Sequence, residues 1–127
     1  MSDFILLTDS DDPTVAAAVG QLESWTVRNV DAAQIADSLG ESGVRAVLLV
    51  TTDPSLLRSA AERAHASGVP VIIGCADDVA RRRALELRAE EWYRIPATAE
   101  EISARVHSAV GRGVSLGAAL SDRVERV

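Results

Sequence analysis

Aromatic residues are scarce: they make up 3% of the chain, against 47% hydrophobic residues in all. Any core must therefore be aliphatic, built from Val, Leu, Ile and Ala. There is one cysteine, Cys75, so no disulfide can close within the chain. No run of ~20 apolar residues is present to span a membrane as a helix. No basic-then-apolar signal pattern follows Met1. Together with the cysteine usage, these absences give the expectation of a cytosolic protein. Positive charge is also in short supply. Thirteen Lys and Arg face nineteen Asp and Glu, for a net charge of −6, which argues against nucleic acid and anionic membrane as partners. Low-complexity segments and a basic tail are both missing. So is a glycine-rich phosphate loop. The segment Asp9-Ser10-Asp11-Asp12-Pro13 is acidic and would repel a phosphate unless a metal intervened.

What is present is an alternation. The 127 residues fit one domain, large enough to bury ~65–70% of its unfolded surface without disulfide or metal. Phe4 to Leu7 is a continuous apolar run that stops at Thr8-Asp9, as suits a strand buried on both faces. Asp12-Pro13 then reads as an N-cap with proline at the first helical position, and Val15, Val19 and Leu22 follow at helical spacing. Trp25 to Val30 is a weaker strand, expected at a sheet edge. Asp31 can cap a short helix bearing Ile35, Ala36 and Leu39, closed by Gly40 or Gly43. Val44 to Val50 is the third strand. Asp53-Pro54 repeats the cap signal ahead of a stripe of Leu57, Ala60, Ala61 and Ala64, and Gly68 suits the left-handed position after that helix.

Val69 to Gly74 reads as a fourth strand. Asp77 or Asp78 opens a helix in which Ala80, Ala84 and Leu87 share a face. Trp92 to Ile95 is the fifth strand. Thr98 and Glu101 form a capping box ahead of Ile102, Val106, Ala109 and Val110. Five βα units with short connections imply a parallel sheet covered on both faces. The expected fold is flavodoxin-like, strand order 2-1-3-4-5, with its crevice at the C-terminal ends of strands one and three. That gathers Asp9, Ser10, Asp11, Val50, Thr51, Thr52 and Cys75.

Leu6-Leu7-Thr8-Asp9-Ser10-Asp11, Ala46-Val47-Leu48-Leu49-Val50-Thr51, Val69-Pro70-Val71-Ile72-Ile73-Gly74-Cys75-Ala76 and Ala89-Glu90-Glu91-Trp92-Tyr93-Arg94-Ile95-Pro96 occur in the order, and at nearly the spacing, of one family. Over residues 3–112 the chain resembles the receiver (CheY-like) domain of bacterial response regulators. The resemblance implies an acidic pair for Mg2+ after the first strand and a phosphoacceptor aspartate ending the third. It also implies a hydroxyl residue ending the fourth strand and a lysine ending the fifth. Phosphoryl transfer needs such cations to spread the moving charge. The chain departs from the pattern at most of these points. Asp9 matches the first acid, but Ser10 stands at the second. Val50 or Thr51 holds the acceptor position, Cys75 the hydroxyl position and Ile95 the lysine position. The segment between the third strand and third helix is also short. The resemblance is to a degenerate receiver, a pseudo-receiver that keeps the fold without the phosphate switch.

Each chemical reading has a plainer competitor. Asp53 could accept phosphate as an atypical site, but Asp before Pro at a helix start is an N-cap, as at Asp12-Pro13. Asp9 and Asp11 are weak candidates for a metal site, since hard cations want clustered carboxylates and no carboxylate ends the third strand. No cofactor is expected. Cys75 could be reactive only beside a cation, histidine or helix N-terminus, and it reads first as packing. His65 and His107 read as partly exposed helix residues away from any nucleophile. Arg81-Arg82-Arg83 with Glu86, Glu90 and Glu91 reads as a solvated face with pairs such as Arg82 with Glu86.

Trp92, Tyr93 and Arg94, with Arg82, are the candidate interface, since aromatics and arginine are enriched in interface cores. They lie on the face of helix four, strand five and helix five, where receivers commonly pair. The leading expectation is a non-enzymatic signalling domain acting by homodimerisation or by docking a protein partner. The alternatives are a receiver phosphorylated at Asp53 and a small-molecule-binding or enzymatic domain on the same scaffold. A receiver-like unit spans residues 1–112. Residues 113–127 form a candidate connector helix toward a possible output domain. Gly111-Arg112-Gly113 would end helix five, and Leu116, Leu120, Val124 and Val127 recur at spacings of four, four and three.

Overall fold

The computed structural model describes residues 4–22 and 24–111. The expected connector 113–127, its apolar stripe and the helix end through Arg112 and Gly113 lie outside the described residues. Five strands, β1 (Phe4–Thr8), β2 (Trp25–Asn29), β3 (Val44–Leu49), β4 (Val71–Cys75) and β5 (Glu91–Arg94), form one parallel sheet in the order β2-β1-β3-β4-β5. Helix α1 covers Pro13–Gly20, α3 covers Pro54–Ala66 and α4 covers Asp78–Glu86. Helix α2 is a 3-10 turn at Ala32–Gln34 that runs into Ile35–Ser38. Helix α5 occupies residues 99–111. This is the flavodoxin-like fold of CheY-like receivers. Among the described residues no helix is long and apolar enough to cross a membrane.

The pleat explains the two cores. Successive side chains of a strand point to opposite faces. Leu7, Val47, Leu49, Val71 and Ile73 therefore pack with Ile35, Leu39, Leu57, Ala60, Ala61, Ala64 and Ala84 on the α2–α3–α4 side. Leu6, Ala46, Leu48, Ile72 and Tyr93 pack with Val15, Ala18, Val19, Ile102, Val106 and Ala109 on the α1–α5 side. The inner strands β1, β3 and β4 bury both faces and so read as continuous apolar runs. Strand β2 lies at the edge, with every residue after Trp25 exposed. The buried Glu91 is paired with Arg105 at 3.0 Å, which ties α5 to the start of β5.

Helix starts follow the cap chemistry. Asp12 accepts from the Thr14 N–H, Asp53 from those of Ser55 and Leu56, and Asp77 from that of Ala80. Each satisfies orphan donors of a first turn. Gly68 takes φ +74° after α3, a conformation that a Cβ would disfavour. Three expectations need correction. Asp31 stands at the N-cap position of the short 3-10 turn but makes no side-chain cap bond. Thr98 caps α5 through the Glu101 N–H at 3.2 Å, while the Glu101 carboxylate lies 3.9 Å from Arg105. Strand β4 begins at Val71 rather than Val69, because Pro70 has no N–H for the ladder and offers only its carbonyl, to Val47.

Gly74 is a point of close approach in the core. A Cβ there would stand 2.8 Å from the Tyr93 hydroxyl oxygen and 2.9 Å from both Tyr93 Cζ and Val50 Cγ1. Gly74→Ala should therefore destabilise the fold by about 1–3 kcal/mol, as overpacking does. Adding Tyr93→Phe, which removes the hydroxyl oxygen nearest that Cβ, should recover part of that loss. Urea titration of the single and double variants measures both changes.

Candidate functional site

The crevice at the C-terminal end of the sheet is closed by a backbone clasp. Asp9 follows β1 directly. Its Oδ1 accepts from the Val50 N–H at 2.7 Å and its Oδ2 from the Thr51 N–H at 2.9 Å. Both carboxylate oxygens are thus committed to the chain just beyond β3. Burial pushes the Asp9 carboxyl above its ordinary value, while the two amide bonds pull the other way. Ser10 is buried as well. Its N–H donates to Thr8 Oγ1, its Oγ accepts from the Asp12 N–H, and its carbonyl accepts from the Asn29 side-chain amide.

The other positions expected around a phosphate divide into packing and solvent. Ile95 is half-buried and packs in the cluster of Leu6, Ile72 and Tyr93, beside Val50. Its N–H donates to the Cys75 carbonyl at 2.9 Å. Cys75 is fully buried on the opposite face of the sheet, and burial raises its thiol above the ordinary value. That environment leaves a thiol rather than a reactive thiolate. Asp11 and Thr52 are exposed. Thr51 Oγ1 accepts from the Asp53 N–H, and Asp53 spends its carboxylate on the start of α3.

The fold therefore brings Asp9 to Val50 and Thr51, and leaves Asp11 and Asp53 at the solvent. Among the described residues no three His, Cys, Asp or Glu side chains are grouped to hold a metal ion. Every one of the thirteen basic residues is arginine, so no lysine elsewhere in the chain can stand in at Ile95. A pocket of about 250 Å3 opens beside the end of β1, lined by the crevice residues Ser10 and Asp11 together with Asp12, Val15, Val27 and Asn29.

The candidate contact face divides differently from expectation. Tyr93 is not part of it: its side chain is 3% exposed and fills the notch at Gly74. Burial pushes the phenol pKa up, helped by the nearby Asp12 and Asp9 carboxylates. Adjacent strand residues face opposite ways, so Trp92 turns to α4, where the Arg81 guanidinium stands 5.7 Å from the ring centre. Arg94 is exposed and bonded to Asp78 at 2.7 Å, which holds that carboxyl below its ordinary value. Arg82 is exposed and forms no ion pair with Glu86. Val79 and Leu85 stand out on the same helix at 52% and 59% exposure. A contact that sequence reasoning missed joins His65 Nε2 to both Glu90 oxygens at 2.8 and 2.9 Å. It links α3 to the turn before β5.

No family profile matches this chain, and no curated protein matches it significantly in sequence. Solved structures do match in shape. NtrX from Brucella abortus, solved in complex with ATP, superposes with TM-score 0.73 at 21% identity, covering 96% of this chain and 29% of that one. A CheY-like response regulator receiver domain protein from Methanospirillum hungatei gives 0.69 at 14% identity, covering 91% and 98%. A de novo designed Rossmann 2x3 protein gives 0.63 at 19% identity, covering 89% and 92%. The chain shares the receiver fold with natural signalling proteins, and shares its architecture with a design, so shape alone does not carry function.

Asp9→Asn tests the clasp. An amide keeps one acceptor but turns an NH2 donor toward a buried N–H. The cost at neutral pH should be about 1–3 kcal/mol, the penalty of an unsatisfied buried group. A carboxyl whose native pKa is raised contributes stability that is full below the unfolded value of 3.8 and is lost as pH rises through the native value. The gap between wild type and variant should therefore widen on acidification. Urea titrations at neutral and acid pH read this directly.

Proposed function

We propose that this chain is a receiver-like signalling domain that works through protein contact and takes no phosphate on aspartate. The observation that carries the reading is the Asp9 clasp. The one acid that matches the metal-binding position has both oxygens engaged by the Val50 and Thr51 amides. The departures at Ser10, Val50, Cys75 and Ile95 support the same reading. Without a fixed cation or a strand-end acceptor, the charge of a transferring phosphoryl group has no stabilising partner here.

Acetyl phosphate with Mg2+ should leave the intact mass of the protein unchanged. Ile95→Lys should not change that, because the acceptor and the metal ligands would still be missing. A stoichiometric phosphate adduct that disappears in Asp53→Asn would overturn the proposal and establish the atypical receiver instead.

The contact surface we assign is the α4–β5–α5 face, with Trp92, Arg82 and Arg94 as anchors and the exposed Val79 and Leu85 around them. Trp92 supplies a large ring already steadied by Arg81, and hot spots are enriched in Trp and Arg. In the homodimer form of this reading, sedimentation at high concentration should show self-association that Trp92→Ala or Arg94→Glu weakens. A monomeric mass for all three proteins would remove self-association and leave a heterologous partner.

A further inference from the structure

The pocket of about 250 Å3 beside β1 lies between the start of α1 and strand β2, at the sheet edge opposite β5. Its lining is mostly apolar, with Val15 and Ala16 of α1 facing Val27 of β2. Val27 is in register with Leu6, so it turns to the α1 side of the sheet. At 36% exposure it leaves an aliphatic wall open to solvent. The polar groups gather toward the C-terminal end of the strands, and they are acceptors. Asp11 is exposed, and among the described residues no side chain pairs with it. Asp12 accepts from the Thr14 N–H with one oxygen, which leaves the other uncommitted. Asn29 donates its side-chain NH2 to the Ser10 carbonyl, which braces the wall and leaves its own Oδ1 uncommitted. The neighbouring cation, Arg28, points to the other face of the sheet and is paired with Glu41.

We propose that this pocket takes the side chain of a lysine from a partner protein. A lysine lays its aliphatic stem along apolar surface and keeps its charged head among polar groups. Val15, Ala16 and Val27 supply the surface, and Asp11, Asp12 and Asn29 supply the acceptors. Charge complementarity favours a cation, since the pocket's rim holds two carboxylates and the chain carries a net charge of −6. A metal ion is the poorer match. Hard cations want several oxygen ligands, and among the described residues no three His, Cys, Asp or Glu side chains are grouped to hold one. The acceptors come singly from three residues, which suits the compact ammonium with its three rotatable donors. A planar guanidinium is matched better by both oxygens of one carboxylate. A second copy of this chain cannot supply the group, because all thirteen of its basic residues are arginine. This contact goes beyond the α4–β5–α5 surface. It lies at the opposite edge of the sheet, so either can hold while the other fails.

Amide chemical shifts of the full chain, labelled with nitrogen-15, test it. The probe is Nα-acetyl-lysine N-methylamide, a lysine side chain between two peptide bonds. It should shift the amide signals of Ala16, Val27 and Asn29 saturably, with weaker binding at high salt. The norleucine counterpart has nearly the same stem and no charge, and should bind several-fold more weakly. Asp11→Asn should weaken lysine binding several-fold by removing the rim charge, and Val27→Ser should do so by removing the aliphatic wall. Both positions are exposed, and the unchanged signals of the inner strands would verify that each variant folds. Absence of saturable shifts would overturn the proposal. So would equal binding of norleucine, or lysine binding undiminished in Asp11→Asn. Tighter binding of the arginine counterpart would point to a second copy of this chain instead. Binding of free pentylamine without binding of the lysine probe would mean a pocket closed to a peptide, and the assignment to a partner protein would fall.

Discussion

Two hydrogen bonds accepted by one carboxylate set the character of the crevice. Strands β1 and β3 are neighbours in the sheet, yet the turns that leave them diverge toward α1 and α3. Asp9 holds those turns together by receiving the Val50 and Thr51 amides. A charged acceptor strengthens such bonds, and the half-buried setting keeps water from competing. The carboxylate thereby takes on a structural duty, tying the two turns together. Around it, the loop polar groups are satisfied locally: Ser10 through Thr8, Asp12 and Asn29, and Thr51 through Asp53. The result is a crevice whose hydrogen bonding turns inward.

Packing completes that closure. Gly74 and Tyr93 face one another across β4 and β5, the smallest residue against a large one. The ring fills a space that two mid-sized side chains would otherwise share, and it reaches Val50 at the end of β3. Ile95 adds an aliphatic group on the same side. Packed side chains, the Tyr93 ring and its hydroxyl among them, thus fill the space at this point.

Much of the architecture was legible in the sequence, because its signals are local. Asp12-Pro13 and Asp53-Pro54 announce helix starts, and the stripe Leu57, Ala60, Ala61 and Ala64 announces a buried helix face. The aliphatic runs announce strands covered on both sides. The site was less legible because its decisive partners are distant and lack a side-chain signature. Asp9 meets backbone amides 41 and 42 positions away, and any residue could supply those. Trp92 and Tyr93 are adjacent and both aromatic, so composition alone could not say which enters the core. The glycine opposite Tyr93 was the available clue, a small residue in register with a large one. His65 and Glu90 lie 25 positions apart, and only the fold makes them neighbours.

The exposed strand β2 has a consequence for life in a crowded solution. A sheet margin with free main-chain groups is a template on which other chains can polymerise. Here the margin is five residues long, and Arg28 stands on it with its guanidinium drawn to Glu41. A short margin carrying a hydrated cation is a poor seed for edge-to-edge growth. Changes at Arg28 would register first as altered solubility, with little effect on the folding equilibrium of the single molecule.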